Sequence, residues 1–139
     1  MDVRSLARLS AVQALYESEA NGSLNDLANY DFGDKAKQFV LVNNFNRLNK
    51  KIFEQIITNV SRETKSIDEK IRANLAADWS FERIGAVLRA ILRAAMGERL
   101  SSPETPKSVL ISEYVAITSG FYDDKEVKFV NAILDKIIT

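Results

Sequence analysis

Arg4 and Arg8 stand one helical turn apart, so both project from the same side of a helix. A guanidinium is a planar fork that bonds two phosphate oxygens at once, which suits the pair to a phosphate backbone. The helix dipole disfavours positive charge in a first turn by about 0.3–1 kcal/mol. A locally unfavourable choice of this kind often marks function. The competing reading is that both arginines pair with nearby carboxylates or are solvated. Nothing comparable offers catalysis. The 139 residues include no histidine and no cysteine. That removes the commonest general acid–base and metal ligand, thiolate zinc sites, disulfides and cysteine nucleophiles. Ser10, Ser80 and Lys107 have no histidine partner, and the sequence shows no glycine-rich phosphate loop or metal-ligand cluster. We therefore assign no catalytic residue, no metal and no cofactor, and expect a binding protein rather than an enzyme.

Formal net charge is zero, but it is unevenly spread. Residues 1–34 hold two basic and six acidic residues, residues 35–72 nine and four, and residues 73–139 eight and nine. A nucleic-acid-binding face must then be local. The first fifteen residues mix charges with apolar residues, unlike a signal peptide, and no apolar run approaches the ~20 residues of a membrane span. The expected location is the cytoplasm.

The elements that must position these residues are helical. Only 2 prolines and 5 glycines occur, which favours long helices over many short strands. The spacing predicts a helix over 4–20, with Leu9, Val12 and Tyr16 facing inward and Leu6 and Leu15 at the edges. Ser23 can cap a short helix over 24–30. A long helix follows from 35 to about 64, carrying Phe39, Val42, Phe45, Ile52, Ile56 and Val60. Its basic residues, Lys35, Lys37, Arg47, Lys50 and Lys51, form either a solvated face or an RNA-facing stripe. Ser66 to Glu69 reads as a capping box for a helix with Ile67, Ile71 and Leu75. Ser80 can cap the next, with Glu82 in its first turn, Ile84, Leu88, Ile91 and Ala95 inside, and an end near Met96 and Gly97. Thr105 and Pro106 open another. Asp123 or Asp124 starts the last, lined by Val127, Val130, Ile133, Leu134 and Ile137. The reading is all-α: about seven helices in two packed bundles, a three-helix unit over approximately 1–65 and a four-helix unit over 66–139.

Three ordered stretches then carry a resemblance. The first runs from Ala7 to Tyr16 (ARLSAVQALY). The second is WSFERIG from Trp79 to Gly85, continued by Arg89 to Arg93. The third begins at Pro106, passes Val109 to Glu113, and ends in KFVNAILDK from Lys128 to Lys136. Together, in order and spacing, they resemble the NusB family of transcription antitermination factors across nearly the whole chain. The resemblance implies boxA RNA of ribosomal RNA transcripts as ligand and NusE, a small-subunit ribosomal protein, as partner, with other Nus factors and RNA polymerase in the larger complex. The free protein would be a monomer or a homodimer. The implied RNA-binding residues are Arg4, Arg8, Tyr16, Phe121, Lys125 and Phe129, the aromatics as stacking surfaces for bases. For Tyr16 core packing competes, and Phe129 could lie at the core margin. Glu82 matches a NusE-facing carboxylate, with helix N-terminal charge as its other role. Arg89 and Arg93 match the family inside the bundle, where structural hydrogen bonds are expected. The chain departs from the family pattern at Ser5 and Leu6, where more basic residues are usual, and at Leu88, Ser112, Tyr114 and Ala132. A helical interaction module with vestigial RNA binding is the alternative. Arg8→Ala is expected to weaken RNA binding and leave helicity unchanged.

Overall fold

The computed structural model describes residues 2–22, 24 and 47–139, with the side chains of 47–49 left aside. It contains α1 (Val3–Ala20), α2 (Arg47–Asn74), α3 (Ala86–Ser101), α4 (Lys107–Ser119) and α5 (Asp124–Ile137). Among the described residues there is no strand. The all-α expectation holds, with five helices among the described residues where about seven were expected along the chain. Residues 25–46, which carry most of the expected short second helix and the start of the long one, lie outside the described residues.

The helix expected to start at Ser66 is not separate. α2 runs through it, bent at Glu63, whose backbone leaves the helical region (φ −115, ψ 21). The Thr64 hydroxyl donates to the Val60 carbonyl one turn back. Such back-bonding competes for a helical acceptor and bends helices. The expected break is therefore a kink, and α2 crosses the 65/66 division suggested by the sequence.

α1 is capped by Asp2, whose Oδ1 accepts from the Ser5 N–H at 2.8 Å. Its inward face differs from the expected one. Ala7, Ala11, Val12, Ala14 and Leu15 are buried, whereas Tyr16 is 43% exposed. Alanines at 7, 11 and 14 let α1 lie close to its neighbours, a contribution that counting only large apolar residues misses. α1 and α3 run antiparallel: Arg8 meets Glu98, and Glu19 meets Arg89 and Arg93.

The end expected near Gly97 is instead the crossing point of α2 and α3. A Cβ at Gly97 would come within 2.7 Å of Val60 Cγ2 and 2.9 Å of the Ile56 carbonyl oxygen. Glycine is needed there for close approach, and α3 continues to Ser101. The core joins Phe53, Ile56 and Val60 of α2 to Leu88, Ile91 and Leu92 of α3, Leu110 and Tyr114 of α4, and Val130 and Leu134 of α5.

Ser80 does not cap α3, which begins six residues later. Turns hold this stretch: the Arg83 and Ile84 N–H groups donate to the Ser80 carbonyl, and Gly85 has φ +100. Two forces oppose a helix here. Phe81 and Ile84 are both buried, and Arg89 Nη1 donates to the carbonyls of Phe81 and Glu82 at 3.0 and 3.1 Å. α4 and α5 begin within a residue or two of expectation. Asp124 and Glu126 in the first turn of α5 and Lys136 in its last complement the dipole.

Candidate nucleic-acid interface

The two N-terminal arginines have different fates. Arg8 is 6% exposed. Its Nε and Nη2 donate to Glu98 at 2.8 Å, and its Nη1 lies 3.3 Å from Glu113 Oε2. The Tyr114 hydroxyl donates to the same Glu98 at 2.7 Å, and Ser5 Oγ donates to Glu113 at 3.2 Å. Burial opposes the Arg8 charge, but the Glu98 hydrogen bonds and charge outweigh it, so its pKa rises further. Burial, then Glu98, holds the Tyr114 hydroxyl protonated far above the usual range. Of the two sequence readings, pairing with carboxylates is what Arg8 shows. Tyr114 completes the shell around Glu98.

Arg4 is exposed and has no partner among the described residues. With Lys51, Gln55 and Ser101 it lines a cleft of about 440 Å³ between α1, α2 and the end of α3.

The aromatic candidates also divide. Tyr16 stands exposed two turns, about 10 Å, along α1 from Leu9. Phe121, in the turn after α4, is 50% exposed. It lines an apolar groove of about 380 Å³ with Leu9, Ala116 and Ile117, to which Ser5 and Glu113 also contribute. Glu113 thus links the Phe121 groove to Arg8. Phe129 is buried, because Trp79 lies flat on it with ring centroids 4.0 Å apart and planes 26° apart. Lys125 Nζ stands 5.4 Å from the centre of the Trp79 ring. Lys125 and Phe129 are therefore brought together, through Trp79.

In the sequence Trp79 stands out only as the first residue of the WSFERIG stretch. A usable signal existed. It is the sole tryptophan, and it precedes a serine and a glycine-ended turn rather than belonging to an amphipathic helix face.

Glu82 is exposed, 3.2 Å from Arg72 Nη2, and accepts from Ser80 Oγ at 3.3 Å. Its own backbone N–H, then Arg72, lowers its pKa. Arg89 and Arg93 do have the structural role expected. Arg93 donates to both oxygens of Asp68 at 2.9 Å, and Glu19 is shared between Arg93 and Arg89. Burial pushes the Glu19 pKa up, but the hydrogen bonds from both arginines bring it below its ordinary value. The Phe81 ring packs beneath the guanidiniums of Arg72 and Arg93 at 4.3 and 5.3 Å. Glu19 and Asp68 were not singled out from the sequence, because nothing local marks a carboxylate whose partner is distant in the chain.

The NusB family model matches residues 5–139. The chain belongs to the NusB family. It is 39% identical to the transcription antitermination protein NusB of Mesorhizobium japonicum over 136 residues, covering 96% of this chain and 87% of that one. It is 38% identical to that of Rhizobium etli, covering 96% and 84%. T. maritima NusB superposes with a TM-score of 0.78 at 27% identity, covering 97% of this chain and 89% of that one. A chain in a crystal structure of a plectonemic RNA supercoil superposes with a TM-score of 0.79 at 26% identity, covering 99% and 94%. NusB proteins are transcription antitermination factors and not enzymes. Among the described residues no helix is long and apolar enough to cross a membrane.

Proposed function

We propose that this NusB-family protein acts in the cytoplasm by binding single-stranded boxA RNA of ribosomal RNA transcripts, paired with NusE and joined by other Nus factors on RNA polymerase. The observation that carries the RNA reading is the exposure of Tyr16 and Phe121. Both are rings left in water by a fold that buries most of its other large apolar side chains, and splayed bases stack on such rings. Arg4 and Lys125, both exposed cations, supply phosphate contacts. The RNA-containing crystal of a structural neighbour is consistent with this reading. Arg8 and Phe129 serve the site from beneath: Arg8 fixes the first turns of α1, and Phe129 supports Trp79. Glu82, exposed at the turn before α3, is assigned to the NusE-facing side.

The test is fluorescence anisotropy of a labelled boxA RNA with the protein, alone and with NusE. Saturable binding that weakens as salt rises is expected. No detectable binding even with NusE would remove the RNA reading. One observation favours a second reading, a protein-interaction module with vestigial RNA binding: Glu98 and Glu113 already engage Arg8. NusE capture without any RNA binding would select it.

A further inference from the structure

Trp79 belongs to no helix, is half-buried, and has Phe129 packed flat against one face. Besides Phe129, the Lys125 ammonium stands over the ring. A lysine on a flexible stem is easily displaced, and the cation–π attraction it gives up is small at an exposed site. Beside the indole lies a pocket of about 430 Å³ lined by Ala77, Asp78, Trp79, Ser80, Arg83 and Ile84. Arg83 is exposed and has no partner among the described residues, unlike Arg72, Arg89 and Arg93 nearby, which all hold carboxylates. An aromatic face, an adjoining hollow, an exposed arginine and a lysine that swings off the ring are what a nucleotide needs: a stacking surface, room for the base, and charge for its phosphates. Asp78 is the carboxylate of the lining. It repels phosphate, so the backbone must be held by Arg83 or Lys125.

We infer that Trp79 is a base-stacking platform for single-stranded RNA, with Arg83 and Lys125 gripping the flanking phosphates. This rests on the RNA reading above and extends it from Lys125 to Trp79 and Arg83, to which that reading gave no RNA contact. Phe129, buried beneath, then keeps the indole flat rather than meeting RNA itself.

The sole tryptophan is a built-in reporter. The full chain, with Trp79 replaced biosynthetically by 5-fluorotryptophan, is mixed with NusE and then with labelled boxA RNA. Anisotropy and the single 19F resonance are read on the same samples. RNA binding should move the resonance. Trp79→Leu should weaken binding about thirtyfold, the middle of the range for losing one stacked base, with an unchanged circular dichroism spectrum. Should that variant unfold, Arg83→Gln, a change at an exposed side chain, should still weaken binding and reduce its salt dependence. A rise in anisotropy with an unmoved resonance, or parental affinity in Trp79→Leu and Arg83→Gln, overturns the platform while leaving the RNA reading intact. A resonance moved fully by NusE, with no further change on adding RNA, assigns the surface to the protein partner and overturns it too. A flat anisotropy trace with NusE present defeats the RNA reading itself, and the platform with it.

Discussion

Replacing Arg8 by alanine should cost stability before it costs anything else. The substitution deletes the hydrogen bonds from Nε and Nη2 to Glu98 and the contact of Nη1 with Glu113. Glu98 is 5% exposed. Its carboxylate would stay buried with only the Tyr114 hydroxyl donating to it. Removing one partner of a buried ion pair costs about 3–5 kcal/mol, because the other charge is left uncompensated. A domain of this size has about 5–15 kcal/mol to lose. At about 2 kcal/mol per molar, the urea midpoint should fall by about 1.5–2.5 M, with the slope of the transition unchanged. Arg4→Ala, one turn away and without a described partner, should stay within about 0.5 kcal/mol of the parent. Replacing the pair together, Arg8→Met with Glu98→Leu, should recover most of the loss, since an apolar pair of similar volume leaves no orphaned charge. Urea unfolding followed by circular dichroism decides the matter. If Arg8→Ala unfolds within about 0.5 kcal/mol of the parent, the Arg8–Glu98 pair does not hold α1, and the reasoning fails. Without urea the helicity should stay as the sequence-based expectation has it; the loss shows in the resistance to urea.

Gly97→Ala should lower stability by about 1–3 kcal/mol, read as a lower urea midpoint, because the added methyl meets a backbone oxygen; an ordinary helix interior would gain from that change. Glu19 is lowered below its ordinary value of 4.5 by Arg89 and Arg93. The unfolded state therefore takes up its proton first, so this contribution is present above pH 4.5 and lost as pH falls through the lower folded value; Glu19→Gln should flatten the thermal melting profile in that acid range. Tyr16→Ala and Phe121→Ala should each weaken RNA binding by about 1–3 kcal/mol, with urea midpoints nearly unmoved because both rings are exposed. Lys125→Gln should reduce the magnitude of the slope of log affinity against log salt by about 0.7, the value for one single-strand phosphate contact; an unchanged slope would take Lys125 off the phosphate path.

What the sequence conveyed depended on how local the cause was. The apolar faces of α3 and α5 were legible from spacing alone, as Leu88, Ile91, Val130, Ile133 and Leu134 show. The break near Thr64 was legible, but not that the helix would bend there and continue. Ser80 misled because its capping signal is local, whereas the forces that keep residues 79–85 in turns come from Arg89 and from burial of Phe81. Gly97 read as a stop because glycine usually ends helices; its reason is a neighbouring helix forty residues earlier in the chain. At the site, residue types were legible and access was not. Arg4, Tyr16 and Phe121 are exposed, whereas Arg8 lies beneath Glu98 and Phe129 beneath Trp79, and each cover comes from a part of the chain remote in sequence.

The ion pairs at both ends of α1 also set a timetable for synthesis. Arg8 and Glu98 are 90 residues apart, and Glu19 is 74 residues from Arg93. A ribosome adding about 5–20 residues per second needs roughly 5–18 s to cover the longer interval. Through that time the first helix to emerge has neither its anchoring partners nor the α3 surface on which its alanine stripe packs. α2, the other helix it packs on, is made earlier, so α1 has that apolar surface first, but Arg8 and Glu19 do not meet these partners until the strip of chain from Arg89 to Glu98 has been made. α1 is therefore positioned twice: first by apolar contact with α2, then by the ion pairs that α3 supplies.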